Sequence, residues 1–121
     1  SSHADMFINI CTVDYYREAL IMIRNHAGNN LPLYCFSDDP DWVKSNLHLE
    51  NCVVVDWNHG DDSWQDMYLM SLCRHNIIAN STFSWWGAWL NNNKNKIVVC
   101  PKYFMSNIDT KDIYPESWIK I

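Results

Sequence analysis

The sequence predicts an α/β fold in which a mostly parallel sheet is covered by helices on both faces. Short apolar segments with strand character alternate with helical segments along the chain, and short loops join them. The strand segments are apolar almost throughout, which is typical of strands buried on both faces. With 121 residues, no internal repeat and no linker, the chain has the length of a single domain, residues 1–121.

The first half of the chain predicts a helix, a strand and a short second helix. The first helix runs from Val13 to about His26, because its apolar residues form one stripe at helical spacing: Tyr16, Ala19, Leu20 and Ile23. Pro32–Phe36 predicts a short strand, which the turn residues Ser37–Pro40 close. Pro40 suits the first turn of a helix that ends near Ser45.

The second half repeats this alternation. Its strands are predicted at Cys52–Trp57, Asn76–Asn80 and Lys96–Cys100. Its helices are predicted at Ser63–Arg74, where Ser63 and Asp66 form a capping-box pattern, and at Phe83–Leu90. The last residues, Ser117–Ile121, predict either an edge strand or a packed tail.

Composition and charge exclude several classes of protein. Lys and Arg number 9 against 14 Asp and Glu, and the net charge of −5 argues against nucleic-acid binding and against binding to anionic membranes. No apolar run approaches the roughly 20 residues that a membrane-spanning helix needs. The 7 Trp, 6 Tyr and 4 Phe indicate a packed core rather than a disordered chain.

The cysteines predict free thiols in a reducing compartment. Their number, 5, is odd, no two have Cys-x-x-Cys spacing, and most lie in or beside apolar runs. We therefore expect all of them to pack in the core of a cytoplasmic protein: Cys11, Cys35, Cys52, Cys73 and Cys100.

Ligands of parallel α/β sheets bind beyond the carboxyl ends of the strands, so the strand-to-helix loops are the candidate site. The loop Asn80–Ser84 precedes a helix, where free N–H groups and the positive end of the helix dipole favour an anion such as phosphate. Hydroxyl groups of Ser81, Thr82 and Ser84 add further donors. The alternative is that Ser81 or Thr82 only caps the helix.

Two pairs of carboxylates follow the other two strands, Asp38–Asp39 and Asp61–Asp62. Such pairs could hold Mg²⁺, act as a base, or accept hydrogen bonds from a ribose or a nucleobase. The alternative is turn and cap chemistry, in which Asp is common. An octahedral Mg²⁺ site needs several oxygens to converge on one centre, and the sequence shows no such convergence for these pairs. We therefore expect no metal.

Three tryptophans, Trp85, Trp86 and Trp89, share one short helix. Trp85 and Trp89 are four residues apart and therefore share a face, which we expect to pack against the sheet. Gly87 and Ala88 suit a close approach between this helix and the sheet. The alternative is an exposed surface that stacks on sugars.

Three segments of the chain resemble a known family. They are Phe36–Asp39 with Asp41–Leu47, the longer and more specific Asp66–Asn91 with its Asn-Ser-Thr-Phe-Ser-Trp-Trp-Gly run, and Lys96–Phe104. From about Ile10 to Phe104, the chain is similar to the C-terminal half of the α-1,2-fucosyltransferases of glycosyltransferase family 11, especially the bacterial members.

The resemblance implies a fold, a reaction and a set of donor-binding residues. The fold is one Rossmann-like domain of a GT-B glycosyltransferase, in which two such domains face across a cleft. The donor is GDP-fucose, bound without metal or other cofactor, and L-fucose passes to the 2-hydroxyl of a β-galactoside with inversion. The implied donor-binding residues are Ser81, Thr82, Phe83 and Ser84 at the pyrophosphate and Asp38 and Asp39 at the nucleoside.

One family feature is missing from the sequence. In the family, the arginine of an upstream His-x-Arg motif neutralises the departing GDP, and no such tripeptide occurs in the 121 residues. We therefore expect a donor-binding fragment, inactive alone, whose β-galactoside acceptor binds through an N-terminal half that it lacks. The alternatives are a transferase for another GDP-sugar and a non-catalytic nucleotide- or sugar-binding module, and peripheral attachment to the inner membrane is the alternative location.

Overall fold

The computed structural model describes residues 12–37, 40–48, 51–55, 60–62, 64–102 and 113–121. Its helices are α1 (Val13–Ala27), α2 (Pro40–Asn46), α3 (Trp64–Leu72) and α4 (Thr82–Trp89), with a 3-10 turn at Gly60–Asp62. Its strands are β1 (Leu33–Phe36), β2 (Cys52–Val55), β3 (Asn76–Ile77), β4 (Val98–Cys100) and β5 (Ile119–Lys120). The predicted α/β class and the parallel pairing are confirmed.

The strands form two parallel sheets within the described residues, not the one sheet that the sequence predicts. In the first sheet, β1 pairs with β2, and Leu33 lies opposite Cys52. The second sheet has the order β3–β4–β5, with Val99 opposite both Ile77 and Ile119. The edge-strand alternative for the C-terminal residues is therefore correct.

Helices cover both faces of the second sheet, as expected. One face packs on α1 through a cluster of four buried residues: Tyr15, Ala19, Ile23 and Val99. The other face packs on α4 and on the C-terminal segment through a second buried cluster: Ile78, Ala88, Val98, Cys100, Tyr114 and Trp118. The central strand β4 is buried along its whole length.

Both ends of α1 are capped. Thr12 Oγ1 accepts a hydrogen bond from the Tyr15 amide at 3.1 Å. At the other end, the Gly28 amide donates to the Arg24 carbonyl at 2.9 Å, with a Gly28 φ of 91°. This left-handed φ favours glycine, which explains why the helix ends where the sequence predicts.

Several boundaries differ from the sequence prediction. β3 ends at Ile77, although the Ile78 amide still donates to the Val99 carbonyl at 2.9 Å, and the chain bends at Asn80 just before α4. β4 begins at Val98 because the Lys96 amide closes a turn on the Asn93 carbonyl at 3.1 Å. The predicted capping residue Ser63 and the predicted strand end at 56–57 lie outside the described residues.

Across the described ranges, no helix has the length and apolar character needed to cross a membrane.

Candidate functional site

Ser81 caps the amino terminus of α4. Its backbone is extended, and its Oγ accepts a hydrogen bond from the Ser84 amide at 3.2 Å. The Trp85 amide donates to the Ser81 carbonyl at 3.1 Å and makes the first bond of the helix. The amides of Thr82 and Phe83 precede that bond, so they are the ones able to donate to an external anion.

The Ser84 hydroxyl holds the loop together from the inside. It lies 3.0 Å from the Ala79 carbonyl, 3.1 Å from the Ser81 carbonyl and 2.8 Å from Ser81 Oγ. Ser84 is buried, whereas Thr82 is exposed and Phe83 is half-buried. The four predicted pyrophosphate residues are therefore consecutive at the capped start of α4, and Thr82 is the most exposed of the three that carry a hydroxyl.

A buried tyrosine of α1 binds the backbone that leads into this loop. Tyr15 Oη donates to the Ile78 carbonyl at 2.6 Å and lies 3.3 Å from the Val99 carbonyl. The contact joins α1 to the carboxyl ends of β3 and β4, just before the chain enters the loop. The helical spacing predicts Tyr16, and not Tyr15, in the buried stripe of α1. Tyr16 is only partly buried, and its ring lies 5.0 Å from that of Tyr15.

A buried amide pair holds the opposite end of β3. Asn91 Nδ2 donates to Asn76 Oδ1 at 2.8 Å and to the Cys73 carbonyl at 2.7 Å, and Asn76 Nδ2 donates to the Met70 carbonyl at 2.9 Å. Buried polar groups must be paired, so this arrangement links α3, β3 and the end of α4 in one geometry.

Lys96 caps the carboxyl terminus of α4. Its Nζ donates to the carbonyls of Ala88 and Asn91 at 2.9 and 2.8 Å. A positive charge suits this end of the helix dipole, while partial burial lowers the pKa of the ammonium group. The sequence patterns do not single out Asn76, Asn91 and Lys96. A local signal exists for two of them, because Asn76 and Lys96 each begin a predicted apolar strand, whereas Asn91 follows the end of α4 and has no such signal.

The tryptophans divide between core and surface. Trp85 Nε1 donates to the Ile113 carbonyl at 3.0 Å, and the Trp85 ring stacks on that of Trp89 with 5.2 Å between centroids. Trp86 and Trp89 remain 46% and 50% exposed. Core packing is therefore confirmed for Trp85 alone, and the other two rings form part of the surface.

Gly87 has a different neighbour from the one expected. A Cβ at Gly87 would lie 3.0 Å from Cβ and Cε of Met70, so Gly87 allows α4 to approach α3 rather than the sheet. Ala88 is the residue that packs on the strands, in the cluster with Ile78 and Val98.

The carboxylates do not form a recognisable metal site in the described part of the chain. Asp61 and Asp62 are exposed on the 3-10 turn, and no group of three or more potential ligands occurs among the described residues. Asp38 and Asp39, the predicted nucleoside contacts, lie outside the described residues, as does His59.

One known protein family has a sequence profile that matches the whole chain. The sequence profile of Glycosyl transferase family 11 matches residues 1–121. No solved structure is significantly similar.

Characterised relatives match over the same region. The chain is 39% identical over 120 residues to an O-antigen biosynthesis glycosyltransferase, WbnK, of Escherichia coli, covering 98% of this chain and 39% of the relative. It is 36% identical over 116 residues to an alpha-1,2-colitosyltransferase of Escherichia coli, covering 93% and 40%. It is 30% identical over 79 residues to galactoside alpha-(1,2)-fucosyltransferase 1 of Aotus azarae, covering 63% and 21%. The chain thus spans about two fifths of the length of its bacterial relatives.

Proposed function

The chain belongs to glycosyltransferase family 11, and on this premise we propose that it is the GDP-fucose-binding part of an α-1,2-fucosyltransferase. It holds the donor while L-fucose passes to the 2-hydroxyl of a β-galactoside, with inversion at the anomeric carbon. The names of the relatives support the linkage, because a colitosyltransferase and a fucosyltransferase among them are both described as alpha-1,2 enzymes. The O-antigen relative supports a role in building a surface polysaccharide.

The observation that carries the proposal is the capped amino terminus of α4. Two free backbone amides, of Thr82 and Phe83, and the exposed Thr82 hydroxyl lie beyond the carboxyl end of β3, where parallel α/β folds bind ligands. Amides at a helix terminus stabilise a diphosphate without a basic side chain or a metal. Ser81 and Ser84 act by holding the loop, and Asp38 and Asp39 accept hydrogen bonds from the nucleoside.

The same proposal predicts that these 121 residues alone do not catalyse the transfer of L-fucose from GDP-fucose. Departure of GDP develops negative charge on the diphosphate, and a well-placed cation stabilises it by several kcal/mol. The sequence contains no His-x-Arg motif to supply one. Acceptor positioning requires a second wall of the cleft, since the 2-hydroxyl must lie in line with the anomeric carbon.

Titration with GDP tests the nucleotide site. Without Mg²⁺, GDP should shift the amide NMR signals of Thr82 and Phe83 more than those of exposed residues elsewhere, such as Ser45 and Asn95. Inorganic pyrophosphate should shift the same two signals. An absolute requirement for a divalent cation would contradict the proposal and would make Asp61 and Asp62 candidate ligands.

The nucleoside contact has its own test. The change Asp38→Asn should weaken GDP binding about tenfold or more, because hydrogen bonds to charged groups contribute about 1.5–3 kcal/mol, while pyrophosphate binding stays nearly unchanged. Asp41→Asn, in the exposed first turn of α2, is the matched control. Equal weakening of both ligands would mean that Asp38 only shapes its loop.

A second candidate donor follows from the colitosyltransferase relative, which matches 93% of this chain. Competition between GDP-fucose and a GDP-linked colitose donor for the site would decide between the two sugars. Binding of free oligosaccharide in the absence of GDP would instead favour a non-catalytic module that uses Trp86 and Trp89.

A further inference from the structure

Two cysteines of the first sheet lie in direct contact. Cys35 on β1 and Cys52 on β2 have their Sγ atoms 2.8 Å apart. The register places Cys35 opposite Val54 and Cys52 opposite Leu33, so the two cysteines are diagonal neighbours two positions apart. Residues two apart on a strand share a face, and both side chains therefore stand on the same side of the sheet.

Cys73 and Cys100 have no thiol neighbour among the residues that the structure describes. Cys73 Sγ lies 3.4 Å from the Leu69 carbonyl, and Cys100 Sγ lies 3.5 Å from the Ile119 carbonyl. Cys100 is buried, whereas Cys35 and Cys52 are only half-buried. A small oxidant can therefore reach the first sheet more easily than the core of the second.

We propose that Cys35 and Cys52 are a redox modification site, at which a small-molecule disulfide such as oxidised glutathione converts the two thiols into a reversible disulfide linking β1 to β2. The inference requires no nucleotide and stands apart from the proposed glycosyl transfer. It also revises the expectation that all cysteines only pack in the core.

The chemistry is a pair of thiol–disulfide exchanges. The Cys52 thiolate attacks one sulfur of the small disulfide, forms a mixed disulfide and releases one thiolate of the reagent. Cys35 then attacks the Cys52 sulfur, forms the protein disulfide and releases the second thiolate. The two protein thiols lose two protons and two electrons, and the small disulfide gains them as two thiols.

The order of the two steps follows from the surroundings of Cys35. Burial, the hydrogen bond with Cys52 and the nearby Cys52 charge raise the pKa of the Cys35 thiol to about 12. Cys35 is therefore a poor first nucleophile at neutral pH. Once Cys52 is in a mixed disulfide it carries no negative charge, so the Coulombic cause disappears, and its sulfur accepts the Cys35 thiol hydrogen less strongly than a thiolate does.

The bridge would act on the strand that leads to the predicted nucleoside contact. Cys35 is the third residue of the four-residue strand β1, and Asp38 follows three positions later. Linking β1 covalently to β2 restricts separation of two strands that, within the described residues, pair only with each other.

Mass spectrometry of the full chain tests the inference. The folded protein is incubated with oxidised glutathione, quenched with an alkylating reagent, and digested with trypsin and Asp-N. Cleavage after Lys44 and before Asp56 separates Cys52 from both Cys35 and Cys73. We expect a Cys35–Cys52 linked peptide, no retained glutathione on either residue, and reversal by dithiothreitol.

Matched variants isolate each step. Cys35→Ser should stop at a stable glutathione adduct on Cys52, whereas Cys73→Ser should still form the bridge. The wild-type peptide map decides the question even if a serine variant fails to fold. Linkage of either cysteine to Cys11, stable adducts on both, or full alkylation of both after exposure to the oxidant would overturn the inference.

Discussion

The two sheets of the chain are built differently. In the second sheet, Val98, Val99 and Cys100 of β4 are all buried, with α1 on one face and α4 on the other. In the first sheet, Val55 is 2% exposed, but Tyr34 is 52% exposed and Val53 is 43% exposed. Regions with few buried apolar contacts open at lower free energy than the core. The comparison therefore assigns most of the stability, together with the capped loop before α4, to the second sheet.

The largest expected difference between the sheets comes from deleting apolar side chains. Ile78 is 0% exposed in the core of the second sheet, and Ile78→Ala should lower the free energy of unfolding by about 2–5 kcal/mol, through lost burial and the cavity left behind. Val53→Ala, at an exposed position of the first sheet, should cost less than about 1 kcal/mol. Urea denaturation followed by circular dichroism measures both, and similar losses would show that the two sheets share one core.

The next effect concerns buried polar groups. Asn91→Ala leaves Asn76 Oδ1 and the Cys73 carbonyl without their hydrogen-bond donor, which should cost about 1–3 kcal/mol. The control is Asn46→Ala in α2, where Asn46 Nδ2 donates to the Trp42 carbonyl at 2.8 Å on the exposed surface. We expect a loss below about 0.5 kcal/mol there. Equal losses in urea denaturation would argue against a special role for the amide pair.

The sequence predicts features that neighbouring residues decide, and it misses contacts between residues that are distant in the chain. Local patterns predict α1 and its end near His26, and they locate the loop at Ser81, because the residues that decide these features are neighbours in the chain. The Asn76–Asn91 pair and the Tyr15 contact with Ile78 join residues 15 and 63 positions apart. No local pattern predicts such contacts, since they depend on how the helices settle on the sheet.

Helical spacing also left one choice open within α1. Tyr15, Ala19 and Ile23 recur every four residues, and Tyr16, Leu20 and Ile23 fit almost as well. Which tyrosine faces the core depends on the Ile78 carbonyl, because it accepts a hydrogen bond from the Tyr15 hydroxyl. Likewise, the spacing of Cys35 and Cys52 gives no sign that their thiols meet, because that contact depends on strand register.

The third expected effect is the loss of stability when the N-cap residue of α4 is replaced. Ser81→Ala removes the acceptor of the Ser84 amide and should cost about 1 kcal/mol of stability. Ser45→Ala, at an exposed position of α2, should change the stability by less than about 0.5 kcal/mol. Denaturation curves for the two serine variants provide the measurement.

Ser81→Asp distinguishes capping from anion binding at the same position. A carboxylate caps a helix well, so stability should stay close to wild type, but its charge should repel a diphosphate and weaken GDP binding. Isothermal titration with GDP tests this expectation. Unchanged GDP affinity in Ser81→Asp would mean that the nucleotide does not bind at this helix terminus.

The smallest effect is a pH dependence that originates in the second sheet. His75 Nδ1 accepts the Ile97 amide at 2.9 Å, and partial burial, with the charges of Arg74 and His26 nearby, lowers the pKa of His75 below its ordinary 6.5. The unfolded chain therefore binds the proton more readily. The contribution to stability is complete above pH 6.5 and is lost as the pH falls below 6.5 through the folded-state pKa.

His75→Asn isolates this contribution, because an amide oxygen can still accept the Ile97 amide but does not titrate. When the pH is lowered from 7.5 to 5.5, the melting temperature of the wild type should fall further than that of His75→Asn. The matched control is His48→Asn, at an exposed position whose φ of 44° asparagine adopts readily, and it should follow the wild-type profile. If His48→Asn flattened the profile and His75→Asn did not, the acid sensitivity would originate beside the first sheet. The assignment of the acid sensitivity to the second sheet would then be wrong.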